Sequence, residues 1–238
     1  MYICSIGDIH QILNKLLLCT ESIVPMPLYQ IILFLFTAYL IGSIPTAVWL
    51  GKLFYETDVR RHGSGNAGAT NTFRTLGPKL GVPVLLIDIL KGYLALQLLH
   101  LAPATLGSAG FTNFQLILGA GALIGHIYPV YAGFKGGKGI ASLLGVMFAI
   151  HPQATLACLG IFSLVFYLSK IVSLSSMSAA MSFPFIIILV FRTENKVLAA
   201  FSVIIALLVL YTHRKNIIRI LNGEEPKIKL NKQKSNNS

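Results

Sequence analysis

Three separated stretches of this chain carry residue types suited to holding phosphate groups and stabilising an oxyanion. The first is Asp58-Val-Arg-Arg-His-Gly-Ser-Gly-Asn-Ala-Gly-Ala-Thr-Asn71. Glycines at 63, 65 and 68 free the backbone for positive φ angles that turn successive N–H groups inward, so Gly63 and Gly65 mark a candidate anion nest. Ser64, Asn66, Thr70 and Asn71 add side-chain donors, and Arg60 and Arg61 add guanidinium forks that match phosphate. A flexible loop with Thr70 or Asn71 capping the next helix is the plainer reading. The second stretch is Gly125-His126-Ile-Tyr-Pro129, then Gly133-Phe-Lys-Gly-Gly-Lys-Gly139. A nucleotide-binding P-loop needs four residues between its first glycine and the Gly-Lys pair, then Ser or Thr. Here Gly133 is too close to Gly137, and Gly139 follows Lys138, so nucleotide binding is not indicated. What remains is a cradle made by the Gly136, Gly137 and Gly139 N–H groups and the Lys138 ammonium at a helix start. The third stretch begins at His213. Asn216 stands three residues on, and Arg219 three further, so all share one helical face. The interspersed Ile217, Ile218, Ile220 and Leu221 suggest an amphipathic helix lying on a bilayer. A basic stop-transfer tail would explain the lysines that follow but not His213 and Asn216.

Two smaller features belong with these. Ser173, Ser175, Ser176 and Ser178 open an apolar stretch, where they either donate to a phosphate or simply permit close helix packing. Asp88 and Lys91, three apart inside another apolar stretch, read as an ion pair that is structural or orients the site, since charge in such a segment is costly unless paired; a substrate or proton path is the other reading.

The elements that must position these residues are hydrophobic. The chain has 238 residues, 55% of them hydrophobic and 11% charged. A soluble domain of this size does not need so much apolar surface, whereas a protein dissolved in lipid does. The fold expected is therefore an all-α polytopic membrane protein. Segments 28–50, 82–102, 114–131 and 171–191 approach the roughly 20 residues a crossing requires. Segments 139–150, 154–168 and 197–211 are shorter, and would span by borrowing flanking residues or by lying inside protein. The expected total is about seven transmembrane helices, of which 139–150 is the shortest.

Basic residues set the orientation. Lys52, Arg60, Arg61, Arg74 and Lys79 fall between the first two segments, Lys135 and Lys138 after the third, Lys170 after the fifth, and Arg214, Lys215, Arg219 and several lysines after the last. The opposite loops carry only Arg192 and Lys196. By the positive-inside rule the N-terminus lies outside and the C-terminus in the cytoplasm, and all three polar stretches face the cytoplasm. The same rule explains the net charge of +11 without nucleic acid as a partner. Cys4, Cys19 and Cys158 have neither metal-ligand nor disulfide spacing, so no metal is expected. Residues 1–25 form an N-terminal extension without a clear signal-peptide cleavage site, expected either to be dispensable or to lie upstream of a true start at Met26. Residues 26–222 form one membrane-embedded domain, and 223–238 a basic cytoplasmic tail.

At these motifs the chain resembles the acyl-phosphate-dependent glycerol-3-phosphate acyltransferases of bacteria, the PlsY family. The carriers are Gly42-Ser43-Ile-Pro45, the Arg60 to Asn71 stretch, Asp88-Ile-Leu-Lys-Gly92, Gly125-His126 with Phe134 to Ala141, and His213 to Gly223. Ser142 stands where the family usually has threonine, and Ile220 and Pro226 depart from its usual tail. The resemblance, spanning about 39–227, implies a seven-helix inner-membrane enzyme. It implies transfer of an acyl group from acyl phosphate to sn-glycerol 3-phosphate, yielding 1-acyl-glycerol 3-phosphate (lysophosphatidic acid) and phosphate, the first acylation of phospholipid synthesis. An acyl phosphate is already activated, so neither a cofactor nor an acyl-enzyme is required. On that reading Arg60, Ser64, Asn66, His213 and Asn216 are catalytic, and Gly63, Gly65, Gly136, Gly137, Lys138, Gly139, Ser175 and Ser176 bind substrate. His213 and a phosphate oxygen of the donor are alternative bases. The rival class is a transporter of a small phosphorylated solute, for which Asp88 and Lys91 are the suggestive feature, though the sequence has no internal repeat.

Overall fold

A computed structural model of the protein describes residues 27–101 and 108–228; the 1–25 extension and most of the tail lie outside the described residues. Every regular element among the described residues is a helix. α1 (Leu28–Gly42) and α2 (Thr46–Tyr55) are followed by a loop with a 3-10 turn at Val59–Arg61, then α3 (Ala69–Leu76), α4 (Pro78–Gln97) and α5 (Ser108–Ile127). After a turn at Val130–Ala132 come α6 (Ile140–Ile150), α7 (Pro152–Ser169), α8 (Val172–Phe185), which runs into a π turn at Ile186–Val190, α9 (Lys196–Thr212) and α10 (Arg214–Leu221).

The boundaries follow from local chemistry. Pro78 and Pro152 stand in the first turns of α4 and α7, where a missing N–H costs nothing. His151 Nδ1 accepts from the Ala154 N–H at 3.2 Å, and Asn195 Oδ1 accepts from Val197 and Leu198, capping α7 and α9. Pro45 lacks the N–H that would carry α1 on into α2, so the chain breaks at Ser43–Pro45. The Ile44 carbonyl exposed by that break accepts from Lys91 Nζ at 2.8 Å. Lys91 also pairs with Asp88 Oδ1 at 2.8 Å, and Thr46 Oγ1 donates to the same oxygen at 3.0 Å. The two charges expected to pair within one helix do so, and they also hold a neighbouring helix at its break.

Among the described residues five helical stretches are long and apolar enough to cross a membrane: Leu28–Tyr55, Pro78–Leu101, Gly110–Ala132, Pro152–Ser169 and Val172–Val190. The pair Lys196–Thr212 and Arg214–Leu221, bent by 61°, makes a sixth if counted as one span. α6 has only 11 residues, about 16 Å against the roughly 30 Å of a hydrocarbon core. It survives because it lies inside protein: it packs on α4 through Gly92 and Gly145, where a Cβ would run into the facing helix backbone. A count of seven passes turns on this short segment.

Candidate active site

The loop after α2 is shaped chiefly by Asn71. Its Nδ2 donates to the carbonyls of Val59, His62 and Asn66 at 2.9–3.0 Å, and its Oδ1 accepts from the Ser64 N–H at 2.8 Å. Asn71 is thus the hub on which the loop folds, rather than a ligand for phosphate. Gly63 and Gly65 have φ of 59° and 73°, whereas Gly68 is extended at −127°, and the Gly65 N–H donates to the His62 carbonyl at 3.1 Å, so with Ser64 the expected anion nest closes on its own loop. Arg60 grips Asp58 (2.7 Å at the shortest) and donates through Nη1 to the carbonyls of Ala132 and Lys135 at 2.8 and 3.1 Å. This bidentate contact holds the Asp58 carboxyl below its ordinary range. Arg60 therefore staples the first loop to the second and, like Gly63 and Gly65, is not among the residues lining the cavity described next.

The second loop uses its glycines for contact, not as anion donors. The Gly136 N–H donates to the Ile127 carbonyl and the Gly137 N–H to the His126 carbonyl, both at 3.1 Å. A Cβ at Gly137 would run into His126 Nε2, so glycine lets the loop lie against that ring. The expected donation by Gly136 and Gly137 to phosphate is thus replaced by loop closure. Lys138 and Gly139 are what the loop delivers. His126, buried in α5, meets Ser142 of α6 at 2.9 Å through Nδ1.

One cavity of about 910 Å3 takes in residues of all three motifs: Ser64, Asn66, His126, Lys138, Gly139, Ser173, Ser176, His213 and Asn216 among them. Asn66 Oδ1 and Asp88 Oδ2, both lining it, are buried without a hydrogen-bond partner. Lys138 Nζ donates to Asn216 Oδ1. Burial pushes the Lys138 ammonium down to about 8; Glu225 opposes the shift, and Arg219 and Arg74 add to it. His213 Nδ1 sits 2.8 Å from the Val209 carbonyl. A carbonyl only accepts, so Nδ1 carries the proton and Nε2 keeps its lone pair. Of the serines, Ser173 and Ser176 line the cavity, while the Ser175 hydroxyl donates within its own helix to the Ile171 carbonyl at 2.8 Å. Helical spacing explains the difference, because adjacent residues point about 100° apart.

The polar mouth continues into an apolar body lined by α6, α7 and α8. Such a cavity suits a phosphorylated headgroup joined to a hydrocarbon tail. A family model described as glycerol-3-phosphate acyltransferase matches residues 32–223. The chain belongs to the glycerol-3-phosphate acyltransferase family. It is 47% identical over 200 residues to the glycerol-3-phosphate acyltransferase of Listeria monocytogenes, covering 84% of this chain and 98% of that protein. With the Fusobacterium nucleatum protein of the same name it shares 45% over 199 residues, 82% and 97% of the two chains. Its fold superposes on crystal structures of PlsY (YgiH), an integral membrane glycerol 3-phosphate acyltransferase. For the glycerol 3-phosphate form the TM-score is 0.74 at 36% identity, and for the lysophosphatidic acid form 0.72 at 34%; each covers 84% of this chain and 96% of that one. The protein is accordingly a membrane-embedded acyltransferase of this family.

Sequence reasoning passed over two members of the site. Glu225 accepts from Ser173 Oγ (2.8 Å), Asn216 Nδ2 (2.7 Å) and Arg219 Nε (2.7 Å), and Arg74 Nη2 approaches it at 3.9 Å. Burial alone would raise its carboxyl, but the bonds from Arg219, Asn216 and Ser173 outweigh it and hold the group below its ordinary value. Arg74 also lines the cavity. The only signal for Glu225 was an acidic residue amid basic ones, and for Arg74 none beyond its charge.

Proposed function

We propose that this acyltransferase moves an acyl group from acyl phosphate to sn-glycerol 3-phosphate, releasing 1-acyl-sn-glycerol 3-phosphate and inorganic phosphate. The observation that carries this reading is the joining, in one cavity, of a cationic, amide-lined mouth to an apolar body. The glycerol 3-phosphate phosphate is held by Lys138, Asn216, His213, Ser176 and the neighbouring arginines. Ser64, Asn66 and the start of α3 face the donor and the charge that develops on its carbonyl oxygen. The acceptor's hydroxyl oxygen attacks the acyl carbon, the bond from that carbon to the phosphate oxygen breaks, and phosphate leaves. The hydroxyl proton goes to His213 Nε2 or to a phosphate oxygen of the donor. Positioning supplies the acceleration, because the mixed anhydride needs no nucleophilic side chain. The positive-inside rule supports seven passes, an external N-terminus and a site facing the cytoplasm.

The test offers acyl phosphate, acyl-CoA and acyl carrier protein in parallel to purified protein with labelled glycerol 3-phosphate. Labelled lysophosphatidic acid formed from acyl phosphate is the expected result. Product formed from another donor alone would overturn the donor assignment. Turnover in detergent micelles, which have no sealed compartment, separates an enzyme from a solute carrier.

A further inference from the structure

The apolar body of the cavity has a closed end. α6 starts beside Lys138, α7 turns back after the single residue His151, and α8 turns again after Lys170 and Ile171. This hairpin order puts Met147 late in α6, Thr155 in the first turn of α7 and Phe183 in the last turn of α8, all at the level farthest from Lys138 and Ser173. The three line the cavity and are 5%, 3% and 5% exposed. The buried level of Met147, Thr155 and Phe183 shuts the chamber at its bottom. The Thr155 hydroxyl donates to the His151 carbonyl at 2.9 Å, so the floor holds no free donor that would retain water.

We infer that Met147 and Phe183, with Thr155 between them, form the floor of an acyl-chain chamber and set the longest chain this enzyme uses. The inference rests on the acyl-transfer reading above. Phe183 lies ten positions after Ser173 in α8, a drop of about 15 Å at about 1.5 Å per residue. A zigzag hydrocarbon with bonds of about 1.5 Å and angles near 111° advances about 1.25 Å per carbon, so roughly twelve carbons fit between the Ser173 level and the floor. Beyond that a further methylene meets a packed ring, and a filled hydrophobic pocket discriminates by about tenfold or more per group.

The experiment compares kcat/KM of purified full-length protein across saturated acyl donors from ten to twenty carbons, each offered as acyl phosphate and as acyl-CoA. Wild type should fall off past a definite length. Phe183→Ala opens about 4 Å, room for about three carbons, and should move that limit to longer chains, raising the long-to-short kcat/KM ratio about tenfold. Ala179→Phe is the second variant: Ala179 lines the wall halfway down and is only half-buried, so a ring there is tolerated, and it should cut off long donors while sparing short ones. Identical length profiles in wild type and Ala179→Phe would overturn the floor assignment, as would an unchanged limit in a folded Phe183→Ala protein. Turnover of acyl-CoA alone would defeat the acyl phosphate reading while the length limit still judges the floor. No turnover of any donor would defeat both.

Discussion

Lys138 donates to the side-chain oxygen of Asn216, joining the glycine-rich turn before α6 to α10, 78 positions away in sequence. Asn216 passes the contact on to Glu225 at 2.7 Å. A cation poised this way is held out of water and aimed at the cavity before any substrate arrives. Replacing Lys138 by alanine should lower kcat/KM for glycerol 3-phosphate by about 10²–10³-fold, with the thermal midpoint little changed. Near-normal turnover of a purified Lys138→Ala protein would discard this role.

The depressed value of the Lys138 ammonium, about 8, gives a pH dependence with a definite sign. The charged form binds phosphate and is lost as pH rises through that value. The kcat/KM for glycerol 3-phosphate should therefore fall above pH 8, approaching a tenfold drop per unit. A profile that stays flat to pH 9.5 would show that Lys138 does not titrate in the working range.

Arg60 offers a choice between two roles that a single substitution separates. Lysine keeps the positive charge but cannot grip Asp58 with a fork while reaching the Ala132 and Lys135 carbonyls. If Arg60 works as a staple between loops, Arg60→Lys should lose at least about tenfold in kcat/KM, the equivalent of about 1.5–3 kcal/mol for charge-assisted bonds. A fully active lysine variant would instead assign it to charge stabilisation alone.

Glu225 takes hydrogen bonds from three side chains, two of which line the cavity. Glu225→Ala should cost about 1.5–3 kcal/mol of stability and should impair catalysis by freeing Asn216. Glu225→Gln, which keeps the shape but loses an acceptor for Arg219, should fall between alanine and wild type. Thermal scans in detergent beside steady-state rates check both parts.

The Asp88–Lys91 pair should behave as buried pairs do. Asp88→Ala leaves an ammonium inside the helix packing and should destabilise by about 3–5 kcal/mol. Asp88→Leu combined with Lys91→Met removes both charges and should recover much of that loss, short of the bond Lys91 gives to Ile44. A double variant as unstable as the single one would mean that the bond to the α1–α2 break matters more than the pairing.

Composition and the period of the apolar segments were enough to read an all-helical membrane protein, because lipid forbids unsatisfied backbone and leaves helices as the simplest solution. The polar motifs were legible for a related reason: glycine, serine, asparagine and arginine clustered between apolar segments have no part in a lipid-facing core. Spacing within one helix also spoke plainly, as with Asp88 and Lys91, and with His213 and Asn216. What the linear order could not decide was which donors are already engaged. Gly136 and Gly137 look like anion donors until their N–H groups are seen to close the loop on His126 and Ile127. Asn71 looks like a phosphate donor until it proves to be the hub of its own loop, and Ser175 differs from Ser176 only by the direction in which the helix turns it. Arg74 and Glu225, 151 positions apart by their numbers, meet at 3.9 Å only because α3 and the segment after α10 reach the same cavity mouth. Hydrogen-bond competition and packing between distant segments are properties of three dimensions, and no local pattern encodes them.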